Sequence, residues 1–276
     1  MPRTALVAYA ESRHFCRIMR QRLDRADEPY LFMRSLAVDY AAGGREESHT
    51  HAWPQFLYAR RGAIRAEIDG RHWIVPTRRG LWIPARTPHR FSMSSRLQLR
   101  TLYFRPDQAD PEQGAGVVPV SGLLHEAILR VCDRGALDER VDYDRCLGTL
   151  IRGEIRFDAP APVTLLQPAD PRAQRLARMF FSPAEAHVRL EALCARAGLS
   201  RRTAERLFQA ECGLSPAHWR RLAVLSESLV EIAGGLSIDQ AAVKAGYHSR
   251  TAFSEAFSLA FGFPPSAAKQ GPLSPS

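Results

Sequence analysis

Two histidines separated by one residue, His49 and His51 in the stretch HTHAWPQ, are the first residues whose types and spacing could do chemistry. On an extended strand alternate side chains share a face, so the two imidazoles point to the same side. A closed barrel would bring both into its interior. There, neutral imidazole suits a divalent metal, or hydrogen bonds to a small organic ligand. A second set lies in SRRTAERLFQ near the C terminus. With Ala204, Leu207 and Phe208 as the inward positions of a helix, Arg202, Thr203, Glu205, Arg206 and Gln209 face out. Arginine can form a bidentate pair with guanine O6 and N7, and glutamate can accept from cytosine N4.

Each set needs elements to position it. From about residue 30 to residue 104 the texture is one of short strands, LFMRSLAVDY, QFLYARRGAIRAEIDGRHWIV, LWIPA, HRFSM and LQLRTLYF, with Gly62, Gly70 and Gly80 as breaks. Asp69-Gly70 reads as a hairpin turn. Strands at near-regular spacing predict a small barrel or sandwich. Trp53, Trp73 and Trp82 read as its wall, with Trp82-Ile83-Pro84 at the mouth of a pocket. Residues 105–120, rich in Pro, Gly and acid, mark the exit from the barrel. Amphipathic helices are predicted over 123–134, with Leu124, Ile128 and Val131 inward, and over 142–156, with Leu147, Leu150 and Ile151 inward. APAPVTLLQPADPR reads as a linker between domains.

Residues 184–265 read as one helical unit written twice. Each copy has a short helix ending at a glycine (Gly198, Gly246), a serine suited to cap the next helix (Ser200, Ser249), and a second helix that stops at another glycine (Gly213, Gly262). Phe lies on the inner face of each second helix, Phe208 in the first copy and Phe253 and Phe257 in the second. In the second, Arg250, Thr251, Ser254 and Glu255 face out. Between the copies, residues 216–233 form a helix capped by Ser215, with Trp219, Leu222, Leu225, Leu229 and Ile232 on one stripe. Its length, roughly 27 Å at 1.5 Å per residue, approaches the roughly 34 Å repeat of B-DNA. Two helix-turn-helix units on such a spacer could enter successive major grooves.

The segments SRRTAERLFQAECGLSPAHWRRL and AAVKAGYHSRTAFSEAFSLAFGFPP resemble the DNA-binding domain of the AraC/XylS family of transcriptional regulators, over about the last hundred residues. The resemblance implies sequence-specific binding of double-stranded DNA at an operator or promoter. It places Arg201, Arg202, Thr203, Glu205 and Arg206 of the first copy, and Ser249, Arg250, Thr251 and Glu255 of the second, against DNA. Arg202, Glu205 and Arg206 match the positions that usually meet bases. The second copy is less basic, so it is expected to position the protein through Ser249 and backbone amides while the first supplies specificity. The family also implies a homodimer contact through helices beside the effector domain, with the alternative that those helices simply cover the barrel. RNA polymerase would be a partner of an activator.

Between Gly43 and Met93 the stretch His49, His51, Gln55, Gly62 and the stretch Pro84, Arg86, His89 resemble the paired motifs of the cupin fold. That resemblance implies a four-ligand set of His49, His51, Gln55 and His89. Three imidazoles and an amide oxygen suit Ni, Zn, Cu or Fe(II). Gln55 stands where many metal-binding cupins have Glu, which removes a negative charge and should weaken binding. Arg86 replaces the glycine of the second motif, which puts the geometry of that turn in question. A small organic effector with no metal is the alternative occupant. A third reading, a metal-dependent cupin enzyme, finds no additional acid, base or nucleophile beside the histidines.

The sequence therefore predicts an α+β chain of two main domains: a cupin-type barrel and an all-α double helix-turn-helix. The boundaries are an arginine-rich arm (1–28) with a short helix over 13–23, a cupin-like effector domain (29–105), a linker and helical region (106–171), the DNA-binding domain (172–270) and a disordered tail (271–276). The net charge of +9 points mildly to a polyanionic partner, and from residue 172 onward there are thirteen basic against eight acidic residues. Five cysteines, an odd number with no C-x-x-C pair, suit a reduced cytosol. No apolar run approaches membrane length and the N terminus lacks a secretory pattern, so a cytoplasmic regulator with no membrane partner is expected.

Overall fold

Alternation of apolar and polar side chains along LQLRTLYF and IRAEI becomes strand in the computed structural model, which describes residues 28–41, 46–75, 77, 79–92, 97–110, 112–157, 164–185 and 187–269. The predicted helix over 13–23 and the tail 271–276 lie outside the described residues. The strands are β1 (Leu31–Tyr40), β2 (Gln55–Arg61), β3 (Ile64–Ile68), β4 (Arg71–Val75), β5 (Arg79–Ile83), β6 (His89–Ser92), β7 (Leu97–Phe104), β8 (Gly116–Pro119), β9 (Ala136–Asp138) and β10 (Thr164–Leu166). The helices are α1 (Gly122–Arg134), α2 (Asp142–Glu154), α3 (Pro171–Phe180), α4 (Leu190–Ala197), α5 (Arg201–Cys212), α6 (Pro216–Ala233), α7 (Ile238–Lys244) and α8 (Arg250–Phe261). The described residues divide into two units, those within 28–69 and 75–157 in one, those within 70–74 and 164–269 in the other.

The first unit is built on a six-stranded antiparallel sheet ordered β8-β5-β2-β7-β1-β9, with β3 and β6 paired antiparallel beside it. Register decides what each face carries, because residues opposite one another across a ladder share a face. Gln55 lies opposite Tyr103 and Ile83, and Leu57 opposite Thr101, which sets the inner face. One residue on, Phe56 lies opposite Leu102 and Trp82 on the other face. There Phe56, Tyr58, Trp82, Leu102 and Phe104 form a core with Leu124, Ile128 and Val131 of α1 and Ile151 of α2. Trp82 thus sits on the helix-covered face and not at the mouth of the histidine pocket, because Ile83 takes the inward position opposite Gln55. Trp53 packs against Leu36, Val38 and Tyr103.

Ser121 caps α1, accepting from the Leu124 amide at 3.0 Å, and Gly135 ends it at φ 83°. On α2 the predicted stripe is only partly realised: Ile151 is fully buried, Leu147 and Leu150 partly. Its deepest contacts come instead from Gly148, where an added Cβ would lie 2.4 Å from the Phe32 ring, and from Asp144. That carboxylate is 2% exposed, accepts from the Asp138 amide at 3.0 Å and pairs with Arg134 at 2.7 Å, which ties α2 to α1 and β9. Residues 116–119, within the span read as exit loop, form edge strand β8. Asp69 (φ 48°) and Gly70 (φ 69°) both take the left-handed backbone that a two-residue hairpin turn needs.

In the second unit β10, within the span read as linker, pairs antiparallel with β4. Three serines cap helices as predicted by type and place, Ser200 on α5, Ser215 on α6 and Ser249 on α8, and a fourth, Ser237, caps α7. Ser237 and Gln240 complete a reciprocal capping box. Trp219 of α6, fully buried, is surrounded by Phe180, Phe181 and Phe208 at ring distances of 5.8, 5.5 and 5.8 Å. Its Nε1 donates to the Leu166 carbonyl at 2.9 Å, so the short β10 also anchors the spacer helix. Among the described residues no helix is long and apolar enough to cross a membrane.

Candidate functional site

His49, His51 and His89 come together inside the first unit, with potential ligand nitrogens all within 4.8 Å of one another. The HTHAWPQ segment does not run as a regular strand. His49 makes an isolated bridge to His89, with amide-to-carbonyl bonds of 2.9 and 3.0 Å in the two directions, and the His51 carbonyl accepts from the Arg86 amide at 2.8 Å. The rings nevertheless converge, with centroids 4.4 Å apart for His49 and His89 and 4.9 Å for His51 and His89. Arg86 takes φ 59°, the left-handed backbone a glycine would adopt without strain. The turn before His89 therefore keeps the glycine-type conformation in spite of its arginine.

Each ring is oriented by a backbone carbonyl two residues away. Nδ1 of His49 faces the Glu47 carbonyl at 2.9 Å, Nδ1 of His51 the Trp53 carbonyl at 2.5 Å, and Nδ1 of His89 the Thr87 carbonyl at 2.8 Å. A carbonyl can only accept, so each Nδ1 holds a proton, and a ring that is neutral in this tautomer presents its lone pair at Nε2. Burial lowers the His51 pKa below its ordinary value. Burial, then the neighbouring imidazoles of His49 and His51, push His89 down to about 3. These two rings are neutral at pH 7, the form that binds a metal.

Two polar atoms in the cluster lack an ordinary partner. His89 Nε2 is buried with no hydrogen bond. His51 Nε2 lies 3.0 Å from Gln55 Oε1, and with its only proton on Nδ1 this is one acceptor facing another. Gln55 Nε2 donates to Thr101 Oγ1 at 2.9 Å and to Tyr103 Oη at 3.0 Å, which points Oε1 toward the histidines. Both hydroxyls can also donate, so the turned-over amide, with Nε2 donating to His51 Nε2, is the metal-free alternative. A cation between Nε2 and Oε1 would satisfy both lone pairs and the orphan on His89. The donor set therefore fits a divalent ion of the Zn or Ni kind, by the chemistry of its atoms. Thr101 and Tyr103 were not legible as site residues, since their role follows from pairing β7 with β2.

The helix-turn-helix residues are placed as follows. On α5, Ala204, Leu207, Phe208 and Cys212 are buried, while Arg201, Arg202, Arg206 and Gln209 are exposed, with Thr203 and Glu205 half-buried. Arg201 pairs with Glu191 and with Glu205, the latter at 3.2 Å. Among the described residues Arg202 and Arg206 make no ion pair, which leaves both guanidinium groups open. On α8, Arg250, Thr251 and Glu255 are exposed, and Arg250 makes one long contact of 3.4 Å to Asp239. Ser249 Oγ accepts from the Ala252 amide at 3.1 Å. Arg220 has no part on this surface: its guanidinium donates to the Val188 and Glu185 carbonyls at 2.8 and 2.6 Å.

Comparison with known proteins covers both units. Residues 36–139 match the AraC-like ligand binding domain, and residues 193–271 match a helix-turn-helix domain. The chain thus carries an AraC-like ligand-binding domain and an AraC-type helix-turn-helix domain. A relative of this AraC-type regulator is the HTH-type transcriptional regulator NimR of Escherichia coli (strain K12), 26% identical over 220 residues that span 79% of this chain and 80% of that one. Among solved structures, ToxT from Vibrio cholerae strain SCE256 with unsaturated fatty acid bound is 10% identical at a TM-score of 0.36, covering 86% of this chain and 94% of that chain. A probable AraC family transcriptional regulator from Rhodopseudomonas palustris CGA009 is 23% identical at a TM-score of 0.31, covering 36% and 94%. By the two family matches the chain is a DNA-binding transcriptional regulator with an N-terminal ligand-binding domain and a C-terminal helix-turn-helix domain.

Proposed function

We propose that this AraC-type regulator senses a divalent transition metal, held in its barrel by His49, His51, Gln55 and His89, and that the metal biases operator binding. The observation that carries the reading is the set of inward lone pairs, with His51 Nε2 facing Gln55 Oε1 at 3.0 Å and His89 Nε2 buried and unpartnered. Bound metal would add positive charge to a neutral ligand set and cross-link the segments around residues 49 and 89. The chain's own contribution is orientation: three carbonyls fix the imidazoles, and Thr101 and Tyr103 fix the amide. The metal acts as an effector and not as a catalyst.

At the DNA, α5 is the main recognition helix. Arg202 and Arg206 meet bases, Thr203 and Glu205 add polar contacts, and Arg201, held by two carboxylates, stiffens the helix start. On α8, Ser249 and the backbone amides at the helix N-terminus position the protein on the phosphate backbone, with Arg250, Thr251 and Glu255 on the exposed face beside them. A homodimer through α1 and α2 and, for an activator, contact with RNA polymerase complete the partners, and the protein works in the cytoplasm. Operator binding by Arg202→Ala and Arg206→Ala tests the placement. Each should cost about 1–3 kcal/mol and relax specificity at one half-site, whereas Arg201→Ala changes affinity little. Full affinity in both exposed-arginine variants would remove α5 from the groove.

A further inference from the structure

The other face of the six-stranded sheet carries a cavity of about 190 Å³, beneath α2 and the turn that follows β7. Its floor is aromatic and aliphatic: Trp82, Phe104, Ile155 and Phe157 line it, with Trp82 5.2 Å from Phe104 and 6.3 Å from Phe157 between ring centroids. An apolar cavity of about 150 Å³ is enough to hold benzene, so this one suits a single ring with one substituent. Rings also pack well edge-on or offset against such a floor.

The rim fixes the substituent's charge. Arg152, half-buried on α2, donates from Nη1 to Gln108 Oε1 at 2.6 Å and from Nη2 to Thr149 Oγ1 at 3.2 Å. It makes no ion pair among the described residues, and a guanidinium has five N–H donors, so donors remain for a planar anion. Asp110 is also on the rim, but it is exposed to solvent and its Oδ1 already accepts the Glu112 amide at 2.9 Å. A half-buried cation with no ion-pair partner among the described residues, set above an aromatic floor, matches an aromatic carboxylate.

We infer that this cavity is a second small-molecule site, which takes a single-ring aromatic carboxylate with its ring on Trp82, Phe104 and Phe157 and its carboxylate on Arg152. The site shares no residue with the histidine cluster and does not depend on a metal there.

The test is calorimetric titration of the full-length, chelator-treated protein with benzoate, benzyl alcohol and benzylammonium. Saturable binding of one benzoate per chain is expected, at least about tenfold tighter than benzylammonium, with benzyl alcohol between. Arg152→Gln should abolish the preference for the anion. Three results would overturn the assignment: no saturable benzoate binding, equal binding of anion and cation by the native protein, or an anion preference kept in full by folded Arg152→Gln. The ligand-charge comparison uses the native protein alone, so it decides the matter even if Arg152→Gln fails to fold.

Discussion

Burial of the neutral imidazoles governs how the barrel responds to acid. His89 is held near 3 by burial and its histidine neighbours, whereas an unfolded histidine titrates near 6.5. Between these values the unfolded chain binds a proton that the folded chain does not, so stability rises with pH across the window and falls as pH drops below about 6.5. The slope is about 1.4 kcal/mol per pH unit for one such group, and His51, shifted in the same direction, adds to it. Urea unfolding of metal-free protein should therefore give a lower stability at pH 5.5 than at 7.5, with a flatter dependence in His89→Gln. A dependence unchanged by that substitution would show that His89 is not the buried neutral base. At Gln55 the prediction concerns charge. Gln55→Glu places a carboxylate among three imidazoles, and the hydroxyls of Thr101 and Tyr103 can turn to donate to it. Zinc or nickel affinity, measured by chelator competition, should rise about tenfold or more; an unchanged value would put residue 55 outside the ligand set.

At the scale of elements, the two halves of the chain were legible to different degrees. Helices of the DNA-binding part announce their own ends: Ser200, Ser215 and Ser249 cap, and Gly198, Gly213, Gly246 and Gly262 take φ between 69° and 81°. These are local signals, and the structure follows them closely. The short strands β8, β9 and β10 were missed because three or four residues carry no period and their pairing is long-range. The same limit hid Thr101 and Tyr103, while His49 and His51 stood out by spacing, and Gln55 and His89 through the cupin resemblance. Trp219 shows where helix and strand meet: it fills the core between α3, α5 and α6, and its indole N–H reaches β10. Trp219→Ala should destabilise the helical unit by about 3–5 kcal/mol, read by urea unfolding. A loss below about 1 kcal/mol would mean that β10 and its neighbours collapse into the vacancy at little cost.

For the whole molecule, sensing requires that metal bind one conformation of the regulator more tightly than another. A coupling of roughly 1–3 kcal/mol would change operator affinity about 5- to 150-fold, and operator DNA would change metal affinity by the same factor. The first requirement is the metal itself. Elemental analysis of the purified native protein, His49→Ala and His89→Ala, each incubated with nickel or zinc and dialysed, tests this most directly. Near-stoichiometric metal in the native protein and its loss from both variants is the predicted result. Metal absent from all three, or retained equally by the variants, would contradict a histidine-held ion in the barrel.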